Sequence, residues 1–320
     1  MKKRKSGGYI ALVLAIAFVG VIAVSVTSSI RNALFPDTES YSAEPENNIA
    51  IVSILGEIGS GSFDAFGNPT SSYVHYRTLE YIYDLTKSTK NRGIFLYIDS
   101  PGGTVFETAE VYQALTAYRA VTGRPVIAFA QHTMASGAYY VACAAEKIYA
   151  NPSAIVGSIG VYIQHFDLSG YYEKLGLSTE YIKTGENKAM GNEFEPLTDE
   201  QRDIYQKIVD ENFEQFLNVI IQARGYEKNE LLPLADGRIY SVSQAVDHGL
   251  LDGAGSYGEL LSNFQSSRGA ANIYYRTYNT NSFLSFLGSL SQARSQTDEE
   301  RMLAFLESVG NGRPMYYYAG

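Results

Sequence analysis

The chain has 320 residues, 45% apolar and 18% charged, which excludes a disordered or collagen-like polymer and allows one large domain or two small ones. A single cysteine, Cys143, excludes an internal disulfide, and four histidines without a His-x-x-x-His pair argue against a metal site, so no cofactor is expected. The formal net charge is −9; the first 30 residues hold four basic and no acidic side chains, so the remainder has 21 basic against 34 acidic, and such a body does not favour nucleic acid.

Lys2-Lys3-Arg4-Lys5 precedes Tyr9–Val26, a run of 18 uncharged residues. That is near the lower length for one bilayer-spanning helix. Basic residues before a span stay cytoplasmic, so the rest of the chain is expected outside. The competing reading is a cleaved export signal. The run is long for a signal core and no Ala-x-Ala follows it, which favours a retained anchor. Residues 27–48 are polar, with Pro36, Pro45 and several acids, and read as a linker.

The body alternates strands and helices. Ile49–Leu55 is a short β-branched run and reads as a buried strand. Val74–Thr86 has helical spacing. Gly93–Ile98 is a strand ending in Asp99-Ser-Pro-Gly-Gly103, and Val105–Val121 a helix. Pro125–Ala130 is a strand, Ser136–Ala145 a small-residue helix. Lys147–Ala150 and Ser158–Ile163 read as strands, Leu168–Leu175 as a short helix and Thr179–Lys183 as a strand. Thr198–Arg224 is a long helix opened by a capping-box pattern, Thr198-Asp-Glu-Gln201. This order predicts an α/β body with parallel strands and flanking helices.

Two glycine-bearing corners follow strands. In Asp99-Ser-Pro-Gly-Gly103, backbone N–H groups at a helix start can face open space and stabilise an oxyanion, although such a triplet alone is usually an ordinary turn. In His132-Thr-Met-Ala-Ser-Gly-Ala138, Ser136 falls at the first turn of a helix, on the sheet edge where α/β folds place ligands. A helix cap explains a serine there equally well. A serine nucleophile needs a base. No Ser-His-Asp triad can be assembled from the spacing of His132, His165 or His248. A neutral lysine is the other option, and Lys188 in Gly185–Gly191 is a candidate, although a solvated lysine is the ordinary occupant of such a loop.

Taken in order, Ser-Pro-Gly-Gly, Met-Ala-Ser-Gly-Ala-Tyr-Tyr, Gly157-Ser-Ile-Gly160, Ile182-Lys-Thr-Gly-Glu-Asn-Lys188 and Ala235-Asp-Gly-Arg-Ile-Tyr240 resemble the signal peptide peptidase A family in its short bacterial form, over about Ile49 to Gly255. The resemblance implies a Clp/crotonase-like fold and a Ser-Lys dyad. Ser136 matches the nucleophile, Lys188 the general base and Ser158 the serine that orients the lysine. Gly103, with Gly102 beside it, matches the oxyanion corner. Asp236–Tyr240 is assigned no catalysis. Ala138 departs from a frequent second glycine. The resemblance also implies a ring-shaped homo-oligomer in which Lys188 serves a neighbour's Ser136.

The implied activity is a membrane-anchored serine endopeptidase that degrades remnant signal peptides and other apolar peptides. The alternatives are a non-catalytic membrane scaffold and a crotonase-type acyl-CoA enzyme, the latter disfavoured by the outward orientation. The expected organisation is 1–8 cytoplasmic, 9–26 anchor, 27–48 linker, 49–267 peptidase domain and 268–320 extension. Within the extension, Thr297–Val309 has an amphipathic helical pattern and Gly310–Pro314 reads as a hinge. Met315-Tyr-Tyr-Tyr-Ala-Gly320 resembles an apolar substrate, and is expected either to fray or to dock as an added strand in a substrate groove and be trimmed there.

Overall fold

The computed structural model describes residues 41–62, 69–278 and 314–317. The anchor, the helix expected over Thr297–Val309 and most of the expected hinge lie outside them. Among the described residues, no helix is long and apolar enough to cross a membrane. The chain divides into two compact units. One comprises residues 1–42, 63–68 and 277–294, and its described part is the antiparallel bridge of Tyr41 with Tyr278. The other, residues 43–62, 69–276 and 295–320, holds everything that follows.

Alternation of strand and helix in the sequence becomes a mainly parallel sheet with helices on it. The elements are β1 (Asn48–Leu55), α1 (His75–Lys87), β2 (Asn91–Ser100), β3 (Gly102–Thr104), α2 (Val105–Thr122), β4 (Val126–Ala135), α3 (Gly137–Ala142), β5 (Lys147–Ala150), β6 (Ile155–Gly157), α4 (Ser169–Lys174), α5 (Asp199–Arg224), α6 (Lys228–Leu231), β7 (Ile239–Ser241), α7 (Val242–Asp247), β8 (Gly253–Ala254), α8 (Tyr257–Ser267), β9 (Asn272–Tyr275) and β10 (Met315–Tyr317). Among the described residues the main sheet has the order β7-β6-β4-β2-β1-β9, and β5 pairs with both β4 and β8. Only the β6–β7 pair is antiparallel in this sheet. β4 is long enough to serve two neighbours on one edge. Ile127–Ala130 pairs with β5 and Thr133–Ala135 with β6.

A parallel sheet covered on both faces needs apolar residues in near-continuous runs. β1 supplies them: Ala50, Val52 and Ile54 enter the larger core, Ile49 and Ile51 the smaller one with Phe95, Phe129, Leu261 and Phe264. α1 buries Thr78, Tyr81, Ile82 and Leu85, the i, i+3, i+4, i+7 stripe of an amphipathic helix. α2 ends at Gly123 in the left-handed region, its N–H donating to Arg119 O. The capping box is formed at the start of α5: Thr198 Oγ1 accepts from Gln201 N–H, and Gln201 Oε1 from Thr198 N–H, both at 3.2 Å.

Two expected strands are absent. The run from Ser158 leaves the sheet because Ser158 adopts φ +51°; its N–H donates to Arg238 O at 2.7 Å, the last bond of the antiparallel β6–β7 pairing, and the chain turns away after it. Thr179–Lys183 forms no strand, and most of it is exposed. The sheet also takes in β9, which the sequence reading places in the carboxyl-terminal extension.

One ion cluster ties the end of α5 to β5. Asp252 accepts from Lys147 Nζ (2.9 Å), Ile148 N–H (2.9 Å) and Arg224 Nη1 (2.7 Å). Burial alone would raise the Asp252 carboxyl, but these donors hold it below its usual value. A depressed folded-state pKa stabilises the fold above the unfolded value of about 4, and that contribution is lost as pH falls further. Asp252→Asn is expected to cost roughly 2–3 kcal/mol near neutral pH, because Arg224 loses its charged partner. Melting curves should show this gap narrowing below about pH 4; a gap independent of pH would contradict the assignment.

Candidate active site

β4 ends at Ala135 and α3 begins at Gly137, so Ser136 is the single residue between strand and helix. It is 1% exposed and holds φ +52°, ψ −119°. A side chain held there costs about 1–3 kcal/mol, and such strain persists where the surroundings over-determine it. Ser136 N–H donates to Gly157 O at 2.7 Å, and its carbonyl accepts from Tyr140 N–H at 3.0 Å.

Register explains why a second serine stands beside it. Ala135 pairs with Gly157 across β4 and β6, so the next residues, Ser136 and Ser158, leave the sheet side by side. Both have positive φ and both are buried. They line one cavity of about 540 Å³ with Tyr162, Val209 and Phe213, and with Asp210 and Asp236 at its polar side.

The Pro-Gly-Gly corner faces the same place. Gly102 has φ +101°, and a Cβ there would stand 2.1 Å from Tyr316 O and 2.7 Å from Gly137 N. Only glycine lets these atoms converge. The Gly102 amide is already engaged by Ser100 Oγ at 3.1 Å. On one edge of β3, Ile58 N–H donates to Gly102 O (2.7 Å) and Thr104 N–H to Ile58 O (2.9 Å).

The other edge carries β10, antiparallel, with Met315 opposite Thr104, Tyr316 opposite Gly103 and Tyr317 opposite Gly102. Val105 N–H donates to Pro314 O at 3.3 Å. The alternation of an antiparallel ladder then makes Gly103–Tyr316 the next hydrogen-bonded pair. The far edge of the tail bonds Tyr162: Met315 N–H to Tyr162 O (2.9 Å) and Tyr162 N–H to Met315 O (3.2 Å). The tail strand is therefore held between two backbone edges, with the Tyr316 carbonyl directed at the residue after Ser136. Docking as an added strand is one of the two fates expected for this segment.

Tyr316 is anchored as well as paired. It is 1% exposed, stacks on Tyr140 with ring centres 5.3 Å apart, meets Phe216 at 4.8 Å and donates its hydroxyl to Asn212 O at 2.8 Å. Burial pushes its phenol well above the usual range. These slot residues were not singled out from the sequence. Tyr140 lies inside the Ser136 motif, and Phe213, Phe216, Leu217 and Ile220 mark one face of α5, but nothing local joins the two.

Lys188 is placed differently. It sits in a 3₁₀ turn, Glu186–Ala189, is exposed, and is not among the residues that line the cavity. The histidines do not line it either. His132 Nδ1 pairs with Asp99 Oδ2 at 2.7 Å on the surface, and His75 is bonded by Tyr73 and Glu110. Burial raises the Cys143 thiol to about 12, so it offers no rival nucleophile. Ser136, Ser158, Gly102 and Gly103 thus come together within one chain, and Lys188 does not join them.

Comparison with known proteins places the chain in a family. The model of peptidase family S49 matches residues 119–270, and that of Clp protease matches residues 65–168. The chain is 30% identical over 295 residues to a protein of Enterococcus faecium named as a signal peptide peptidase SppA, covering 88% of this chain and 85% of that one. It is 30% identical to a protease of Methanocaldococcus jannaschii (82% and 83% covered) and 29% identical to the chloroplastic serine protease SPPA of Arabidopsis thaliana (67% and 32%). A mainly parallel, Clp-protease-like α/β domain with these relatives defines a serine protease. The chain belongs to peptidase family S49, in its signal peptide peptidase A branch.

Proposed function

We propose that the chain is a membrane-anchored endopeptidase that degrades remnant signal peptides and other apolar peptides, with Ser136 as nucleophile and Lys188 as base. The observation that carries this reading is the strand Met315–Tyr317, an apolar segment of the chain itself seated in the groove beside Ser136. Its backbone is read by β3 and Tyr162 regardless of sequence, and its side chain at 316 by an apolar slot, which suits extended apolar peptides.

The chemistry follows from the corner. The Lys188 amine, neutral, takes the Ser136 hydroxyl proton as Oγ bonds the scissile carbonyl carbon. The negative charge that develops on the carbonyl oxygen is met by N–H groups of Gly103 and Gly137. On collapse the C–N bond breaks and the departing amine takes the proton from the Lys188 ammonium. Water then attacks the acyl-Ser136 ester carbon, giving a proton to Lys188; the C–Oγ bond breaks, the carboxylic product leaves, and the Lys188 ammonium returns the proton to Ser136 Oγ. Ser158 orients the amine.

In this reading Lys188 reaches the Ser136 of a neighbouring chain in a ring. The segment that carries it supports this, since Tyr171, Leu175, Leu177 and Ile182 are large apolar side chains left exposed. Isolated apolar residues on a surface are ordinary, but a group of them on one segment favours a partner.

The direct test is incubation of the purified protein with a synthetic signal peptide, wild type against Ser136→Ala. Equal cleavage by both would end the proposal. Topology has its own test. A protease added to cells with an opened envelope should digest a tag after Gly320 and leave an amino-terminal tag intact. The reverse pattern would overturn the orientation.

A further inference from the structure

Thr108 lies one turn into α2, fully buried, and among the described residues its hydroxyl has no hydrogen-bond partner. Other helical threonines here return theirs to the carbonyl four residues earlier: Thr78 to Val74 (3.2 Å), Thr86 to Ile82 (2.8 Å), Thr116 to Tyr112 (2.8 Å) and Thr122 to Tyr118 (2.6 Å). Thr108 forgoes this bond, and a buried hydroxyl left unpaired carries a desolvation penalty.

Its surroundings place the hydroxyl at the nucleophile corner. A Cβ built on Gly137 would lie 2.7 Å from Thr108 Oγ1, 3.0 Å from Tyr316 Cβ and 3.0 Å from Tyr316 O. The hydroxyl and the docked carbonyl therefore share the open face of Gly137, the residue that follows Ser136. We propose that Thr108 is a catalytic residue of the acyl-transfer site, whose hydroxyl stands on the Gly137 side of the oxyanion corner and donates to the carbonyl oxygen as negative charge develops there. This rests on the reading of the groove as the substrate site. The hydroxyl does not bond the docked carbonyl; a bond that forms only as the carbonyl oxygen moves on becoming tetrahedral adds transition-state stabilisation while contributing little to ground-state binding.

The test uses the full-length protein, an apolar reporter peptide with tyrosine at the position of Tyr316, and two variants. Thr108→Val keeps the shape and removes the hydroxyl; Thr108→Ser keeps the hydroxyl and removes the methyl. Thr108→Val is expected to lower kcat by about ten- to a hundredfold, as for losing one hydrogen bond to a charged group, with KM within about twofold. Its melting temperature should match or exceed wild type, since an unpaired buried hydroxyl is gone. Thr108→Ser should retain most of kcat. Wild-type kcat in Thr108→Val overturns the proposal. Equal loss of kcat in both variants also overturns it, since packing would then be the cause. Ser136→Ala run alongside separates the two levels: if it cleaves like wild type, the site reading itself has failed, and if it is dead while Thr108→Val is fully active, only the role of Thr108 has failed.

Discussion

Ser136→Ala and Lys188→Ala each abolish peptide cleavage, by about a thousandfold or more, if the two residues act as a unit. The double variant is then no slower than either single one. Assembly makes the sharper demand. Lys188 is exposed and outside the cavity that holds Ser136 within its own chain. If it serves a neighbour, two dead proteins mixed as subunits should yield a live one, because some junctions pair an intact Ser136 with an intact Lys188. Recovery of a substantial fraction of activity on co-refolding Ser136→Ala with Lys188→Ala is the expected result. Its absence, with mixed assembly shown by mass, would mean that the base comes from the same chain or is another residue. A lysine base works only as the neutral amine, so the rate should also climb with pH. A rate that peaks in acid would contradict it.

The parts of this site differ in how far they could be read from the chain alone, and the difference is one of contact range. β1, β2 and β5 announce themselves because a buried parallel strand must be apolar along its length. Ser136 and Gly102 are visible as local turn chemistry. Their meeting is set by register: Ser100 opposite Met134 brings the Gly102 corner beside Ser136, and Ala135 opposite Gly157 brings Ser158 alongside. Ser158 shows the limit of pattern reading. Its apolar continuation, Ile159-Gly-Val-Tyr-Ile163, has strand composition, yet a left-handed serine turns the chain out of the sheet. The aromatic slot was not legible, because Tyr140 and Phe216 lie 76 residues apart and each reads as ordinary core. Thr108 gives no sequence signal at all, since an unmade hydrogen bond has no pattern.

The docked tail leads to the second large effect. Tyr316 fills the slot formed by Tyr140 and Phe216, its hydroxyl on Asn212 O, and its carbonyl points at Gly137. A peptide bound in that register would be cut between Tyr316 and Tyr317. Mass spectrometry of wild-type protein should therefore find a population ending at Tyr316, lighter by residues 317–320, and Ser136→Ala should keep the intact end. Identical intact termini in both would rule out self-processing. The tail also competes for the groove. Because it is tethered, its effective concentration is in the millimolar range, which outcompetes a weakly bound free peptide. Removing residues 315–320 should lower KM for a synthetic signal peptide several-fold and leave kcat nearly unchanged. Reporter peptides with tyrosine at the position of Tyr316 should be cut faster than those with phenylalanine, which lacks the hydroxyl that bonds Asn212 O, and much faster than those with alanine, which leaves the aromatic slot empty. Phe216→Ala should flatten that ranking by opening the slot. An unchanged KM after truncation together with no preference for aromatic residues would mean that the segment seated beside Ser136 is not bound as a substrate is.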